Sequence, residues 1–222
     1  MPILHRYQAV IFDLDDTLVS SGRIKWAQHK AVAREYYDYE LTDETLNQYW
    51  GMPFDTMIGL LHNHADTVAN MHKAYEATEH RFLKELQPET LPTLDILLNA
   101  GLKIGLLSAM NRPDVVWNME RLGFPMEQFE FIQGAGDTPV HKPDPEVFAP
   151  ALAHLAAIGI IPAKTVYVGD ALIDFEAAKH AGLGFIAVTT GFTPAAEFER
   201  AGAHHILNLA SLPELILGST TP

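Results

Sequence analysis

Short apolar runs alternate with longer stretches of helical period along most of this chain. The runs at Ala9–Phe12, 103–107, 129–132, 165–168 and Gly184–Val188 are rich in β-branched or aromatic residues and bounded by turn-forming residues. They predict strands, with a further short strand at 205–207. Between them, 92–100, Arg112–Leu122, 145–155 and 172–181 repeat apolar positions at helical spacing. Pro145 stands near a helix start, and Gly101 and Gly182 stand just past helix ends. Strand and helix in alternation predict an α/β fold, a Rossmann-like parallel sheet covered by crossover helices.

The rhythm breaks after the first strand. From Ile24 to Leu86 the pattern holds no strand, only helical segments at 24–37, 42–50, 54–63 and 67–86, with Thr42 and Asp43 suited to a helix start. About 65 consecutive residues of this kind read as an inserted helical subdomain. Pro88 and Pro92 bracket the return. The expected division is a catalytic core of residues 1–18 and 88–222, with an α-helical cap at 19–87.

Composition narrows the function. The chain has 222 residues, 48% of them hydrophobic, and a net charge of −13, which disfavours nucleic acid and anionic membranes as partners. It has no cysteine, which removes thiolate nucleophiles, disulfides and Cys-based zinc sites. No apolar run approaches the roughly 18–20 residues that span a bilayer. Asp13 follows Ala9–Phe12 at once, unlike a signal peptide. The expectation is a cytoplasmic protein; oligomeric state is not readable.

Two acidic groups sit at strand ends, where open parallel sheets bind ligands. Asp13-Leu14-Asp15-Asp16-Thr17 follows the first strand, and Gly169-Asp170, with Asp174 four residues on, follows 165–168. Packed carboxylates repel unless a cation or shared proton relieves them, and together the two groups offer the oxygen ligands that Mg²⁺ prefers. Each alone also fits a solvated acidic turn or a helix cap. Ser108 ends the second strand with a hydroxyl, and Lys142, in His141-Lys142-Pro143-Asp144-Pro145, offers a mobile ammonium. Singly, these two read as a turn residue and a surface charge.

Their order carries more than any one of them. Asp-x-Asp-x-Thr, a strand-end Ser, Lys-Pro-x-Pro and Gly-Asp-x-x-x-Asp resemble the four motifs of haloacid dehalogenase superfamily phosphatases, from about Val10 to Gly191. The helical insertion is similar to the cap of the phosphoglycolate phosphatase and β-phosphoglucomutase branch. The resemblance implies a Mg²⁺-dependent phosphatase acting on a small phosphorylated metabolite, a phosphate monoester, through an aspartyl-phosphate. Asp13 would be the nucleophile and Asp15 the general acid and later base. Ser108 and Lys142 would bind the transferring group. Mg²⁺ would be held by Asp13, the Asp15 backbone carbonyl and Asp170, with Asp174 and Thr17 in support. Three positions depart from the pattern: Asp16 replaces the common glycine, Ala171 the usual hydroxyl residue, and the Asn expected after Ser108 is absent, although Asn111 is near.

The resemblance also implies a cap that closes over the cleft and selects the leaving group. Gly51-Met52-Pro53-Phe54-Asp55 resembles a substrate-contacting cap loop, though an ordinary helix–helix turn fits equally. Arg23, Lys25 and Arg34 are the nearest cations for a second anionic group, and each also reads as a solvated helix residue. His62, His64 and His72 lack the arranged carboxylates that a zinc site would need. Tyr36, Tyr37, Tyr39, Tyr49 and Trp50 read as cap core. A sugar phosphomutase is the alternative enzyme, disfavoured by Lys25 where such sequences carry a cap-entry histidine. Asp15 argues against dehalogenase and phosphonatase chemistry. A catalytically silent binding module is the alternative outside enzymes.

Overall fold

The computed structural model describes residues 6–50, 52 and 54–218. It opens with β1 (Ala9–Phe12) and β2 (Val19–Ser20), followed by α1 (Gly22–Tyr37), α2 (Asp43–Tyr49), α3 (Phe54–Leu61) and α4 (Val68–Glu79). The chain returns through β3 (Glu85–Leu86), α5 (Thr90–Asn99), β4 (Lys103–Asn111), α6 (Arg112–Leu122) and β5 (Phe129–Ala135). It ends with α7 (Ala149–Ala157), β6 (Thr165–Gly169), α8 (Leu172–His180), β7 (Gly184–Val188), α9 (Ala195–Ala201), β8 (His205–Ile206) and α10 (Leu212–Leu217). Among the described residues, no helix is long and apolar enough to cross a membrane.

Six strands form one parallel sheet in the order β5-β4-β1-β6-β7-β8. A parallel strand covered on both faces must be apolar at every position. β1 meets that demand: Val10 and Phe12 join one core cluster and Ala9 and Ile11 the other. Burying a side chain such as Phe12 or Ile11 contributes about 1.5–3 kcal/mol. The contiguous run Ala9–Phe12 is therefore the central strand.

By its contacts the chain divides into two units, one holding the chain up to Ser20 and from Glu85 onward, the other Ser21–Lys84. The first is the α/β core, and the second is the inserted α-helical cap. The expectation of no strand between Ile24 and Leu86 is corrected: Glu85–Leu86 pairs antiparallel with Val19–Ser20. The helix expected over 67–86 stops at Glu79, where Thr78 and Glu79 carbonyls turn to Arg81 and Phe82 N–H groups. The segment expected as one helix over 145–155 opens as a 3₁₀ turn at Pro145–Phe148 before α7.

Within the helical unit, Val32, Ile58, Met71, Ala74 and Tyr75 form one apolar cluster, and Ala33, Leu41, Leu46, Met57 and Leu61 another. Thr42 caps α2 by accepting from the Thr45 N–H. Tyr37, Tyr39, Tyr49 and Trp50 pack against the clusters as expected, but Tyr36 is 49% exposed, a correction. His62, one of the three histidines weighed for metal, is buried in a chain of hydrogen bonds instead. Its Nδ1 meets Tyr39 Oη and its Nε2 meets Tyr75 Oη, which also meets His29 Nδ1. Proton counting orients the chain. Tyr39 donates its one proton to the Leu61 carbonyl, so it accepts from His62 Nδ1–H. His62 Nε2 then accepts from Tyr75, and Tyr75 accepts from His29 Nδ1–H.

Burial holds both imidazoles neutral. His29 falls to about 3, with His62 and Lys25 adding to the effect of burial, and His62 falls to about 4. Below the ordinary histidine value near 6.5 the unfolded chain takes up protons that these two refuse. Each then costs about 1.4 kcal/mol of stability per pH unit as pH falls toward its folded value, and the full contribution is present above that range. The ring resonances of His29 and His62 are expected to stay in the neutral Nδ1–H form from about pH 8 to about pH 5 in ¹⁵N NMR. A titration midpoint near the ordinary value in either ring contradicts its being held neutral by burial, and an Nε2–H tautomer contradicts the proton order.

Candidate active site

Strand register places the site. Phe12 pairs with Leu106 on one side and Val168 on the other, so the residues following β1, those near the end of β4 and those following β6 emerge at one carboxyl edge of the sheet. Asp13 is tied there by its N–H to the Val168 carbonyl at 2.9 Å. The chain then turns tightly: the Leu14 carbonyl accepts from the N–H groups of Leu18 and Val19. Asp16 sits in that turn at φ +55°. This left-handed conformation favours glycine and is tolerated by Asp, which accounts physically for the departure at Asp16.

Lys142 arrives from the loop after β5. The Asp144 carboxylate caps the 145–148 turn through the Glu146 N–H, and Gln133 Nε2 of β5 ties the same turn through the Val147 carbonyl. The side chain is 6% exposed, with Nζ 2.8 Å from Asp13 Oδ1 and 2.6 Å from Asp174 Oδ1. The expectation of a mobile ammonium is thus corrected to a buried, clamped one. Asp174 lies in the first turn of α8, and its Oδ2 accepts from the Ala171 N–H at 3.0 Å. Ala171 has no side chain to accept from the N–H groups of the first turn, and Asp174 reaching back supplies only the reciprocal half of a capping box, the bond to the Ala171 N–H. Gly169 has no Cβ because one there would meet the Asp174 carboxylate at 2.5 Å.

The other expected residues take their places unequally. Asp170 is half-buried beside the cluster and feels the charges of Asp13, Asp174 and Asp16. Asp15 is half-buried and its charge acts on Asp13. Ser108 is buried, with Oγ accepting from the Met110 N–H at 3.1 Å, inside a strand that runs on to Asn111. The expectation that it ends the strand is corrected; pairing with β5 loses register between Leu107 and Asn111. The Thr17 hydroxyl is buried without a hydrogen-bond partner among the described residues. In the helical unit, Lys25 is paired with Glu79 at 2.7 Å and Arg34 with Glu40 at 3.4 Å, so both cations already have carboxylate partners. Gly51 and Pro53 of the expected cap loop lie outside the described residues.

Sequence reasoning passed over three residues. The Tyr167 hydroxyl, on fully buried β6, accepts from Lys142 Nζ at 3.1 Å. A Cβ at Gly191 would collide with the Asp170 carboxylate, and the Thr190 hydroxyl donates to the Asp16 carbonyl. A tyrosine inside an apolar strand signals packing, and nothing in the local pattern marks Thr190 or Gly191, which only the fold brings to the edge.

Electrostatics set what the cluster can bind. Burial pushes Asp13 up to about 7, aided by the charges of Asp174 and Asp15 and opposed by Lys142. Burial and the charges of Asp13, Asp174 and Asp16 carry Asp170 well above the usual carboxylate range, against Lys142. One ammonium among this many carboxylates leaves negative charge that a further cation would relieve. Among the described residues, no three His, Cys, Asp or Glu side chains gather as a metal-holding group. The donor chemistry nevertheless suits Mg²⁺, which binds through one or two carboxylates and fills its remaining positions with water and substrate oxygens. Asp13 and Asp170, with a backbone carbonyl, fit that habit.

Lys142→Met is expected to lower stability by about 3–5 kcal/mol, because it leaves buried carboxylates uncompensated. Without the ammonium Asp13 rises further, and a raised carboxyl loses stability as pH rises. The deficit against the native protein should therefore widen as pH rises through and above about 7 in paired denaturant titrations. A constant deficit contradicts the clamp.

Comparison with known proteins agrees with this geometry. The family of haloacid dehalogenase-like hydrolases matches residues 10–188. A phosphoglycolate phosphatase from Yersinia pseudotuberculosis is 31% identical over 199 residues, 83% of this chain and 82% of its own length. The pyrophosphatase PpaX of Bacillus velezensis is 28% identical over 178 residues, 80% of this chain and 81% of its own. A solved structure from Bacteroides fragilis assigned to the haloacid dehalogenase-like hydrolases superposes with a TM-score of 0.73 at 29% identity, covering 93% of this chain and 99% of that one. With its parallel sheet, inserted helical cap and clustered edge carboxylates, the chain belongs to the haloacid dehalogenase-like hydrolases and is an enzyme of their phosphatase type.

Proposed function

We propose that this enzyme hydrolyses a small phosphate monoester with the help of Mg²⁺, through a phosphoryl group carried transiently on Asp13. The observation that carries the reading is the buried Asp13 carboxylate held 2.8 Å from the Lys142 ammonium at the sheet's carboxyl edge. It is further supported by relatives named as a phosphoglycolate phosphatase and a pyrophosphatase, both of which act on small phosphate compounds.

In this reading an Asp13 carboxylate oxygen attacks phosphorus as the bond to the leaving oxygen breaks, and Asp15 gives that oxygen its carboxyl proton. Asp15, now a carboxylate, takes a proton from water. The water oxygen attacks phosphorus, the bond to Asp13 breaks, and phosphate leaves. Lys142 faces the charge that spreads over the phosphoryl oxygens, and Asp174 keeps the ammonium aimed at Asp13. The hydroxyls of Ser108 and Thr17 are further donors at that edge. Mg²⁺, held by Asp13, Asp170 and the Asp15 carbonyl, supplies charge neutralisation and keeps Asp13 ionised against the effect of burial. Gly191, which has no Cβ, leaves room for the Asp170 carboxylate.

Asp13→Asn is expected to abolish turnover and any phosphoenzyme. Asp15→Asn should lower kcat by roughly 10²–10⁴ and retain Mg²⁺ binding, since only its backbone carbonyl is a ligand. With an aryl phosphate, whose leaving group needs little protonation, Asp15→Asn should accumulate phosphorylated Asp13, visible by intact mass. Normal turnover in Asp13→Asn sinks the reading. A panel of phosphoglycolate, pyrophosphate and sugar phosphates, with and without chelator, should show Mg²⁺-dependent phosphate release. Interconversion of sugar phosphates without release points to a mutase instead.

A further inference from the structure

An ammonium has three N–H donors, and a buried one left unpaired is costly. Lys142 Nζ donates two hydrogen bonds, to Asp13 Oδ1 at 2.8 Å and to Tyr167 Oη at 3.1 Å, and Asp174 Oδ1 lies 2.6 Å away as an ion-pair partner. A phosphoryl oxygen that approaches Lys142 therefore competes with these three contacts. The Asp13 bond is the one the chemistry weakens, because an oxygen bonded to phosphorus in an acyl phosphate no longer carries a full charge.

Two anchors then remain, and they differ in kind. Asp174 is an anion that would follow the ammonium if it moved. Tyr167 is neutral and rigid. Its ring is locked by strand pairing with Ile11 and Phe185 and by an edge contact to Phe148 at 4.9 Å between centroids. Its own proton has the Leu107 carbonyl at 3.3 Å, nearer than Asp13 Oδ1 at 3.5 Å. The hydroxyl oxygen thus turns a lone pair toward Lys142 without adding negative charge to a cluster already rich in it.

Building on the proposed reaction, we infer that Tyr167 is a positioning residue: its hydroxyl is the fixed neutral acceptor that holds the Lys142 ammonium in place while the bond to Asp13 is exchanged for one to the phosphoryl group. It touches no reacting atom in this role and acts through Lys142. A purely structural tyrosine would matter for its ring; a positioning tyrosine matters for its hydroxyl.

Tyr167→Phe, which keeps the ring, is the test. It should fold with a thermal midpoint near that of the native protein, yet lower kcat/KM about tenfold, the loss of a hydrogen bond to a charged group. In a Lys142→Ala background it should lower kcat/KM no further, because the residue it positions is gone. The Lys142 ammonium, observed by ¹⁵N-lysine NMR in the full chain, should exchange its protons faster in Tyr167→Phe. This readout does not depend on turnover, and decides the matter if Lys142→Ala is too slow to assay. An unchanged kcat/KM in Tyr167→Phe, an equal fractional loss in the Lys142→Ala background, or an unaltered ammonium exchange rate overturns the inference. Asp13→Asn assayed alongside separates the two levels. If it is inactive while Tyr167→Phe is normal, only the tyrosine's role falls; if it is active, the proposed reaction falls first.

Discussion

The organisation of the catalytic edge depends on one buried cation. The Lys142 ammonium bridges Asp13 and Asp174, which are carried by segments far apart in the sequence. Removing such charges from water is expensive, and the cost is offset only if every donor and acceptor finds a partner. The surroundings meet that condition in part, since Asp174 Oδ1 has the ammonium only as an ion-pair partner. Tyr167 takes a second ammonium proton beside Asp13, and Asp174 spends its other oxygen on the Ala171 N–H at the start of α8. Gly169 leaves the room that the Asp174 carboxylate occupies.

The same arrangement explains why the edge is reactive. A fully balanced ion cluster would be inert, but this one has more carboxylates than ammonium groups. Asp13 and Asp170 are both driven upward by burial and by neighbouring charge. The strain is electrostatic, and a divalent cation with oxygen preference is the natural relief. Phosphoryl transfer asks for little more than alignment and charge neutralisation, so a preformed cluster of this kind is well matched to it. The helical cap stands apart in its chemistry: its buried histidines are held neutral in a tyrosine relay, and its cations Lys25 and Arg34 have carboxylate partners within the cap itself.

The departures from the family pattern have local physical readings. Asp16 adopts the left-handed backbone that explains glycine's usual presence, and its carbonyl is held by the Thr190 hydroxyl. Ala171 lacks a capping side chain, and Asp174 caps the Ala171 N–H from within the helix while also pairing with Lys142. One carboxylate thereby serves both helix and site, which couples the start of α8 to the ammonium.

By itself the sequence determined the parallel α/β core, since a strand such as Ala9–Phe12 that is apolar at every position has no stable place except between two layers. It also determined the helical insertion, and it marked Asp13, Asp15, Ser108, Lys142 and Asp170 as candidates through an order of motifs that resembles the family's, because such an order is read along the chain and needs no tertiary contact. The short pairing of Val19–Ser20 with Glu85–Leu86 was not legible, as two residues carry no period and only their partner makes them a strand. Likewise the burial of Lys142, the hydroxyl of Tyr167 and the clearance at Gly191 were decided by tertiary structure. Each is a relation between segments distant in sequence, and a residue's solvation and hydrogen-bond partners depend on what folding brings against it.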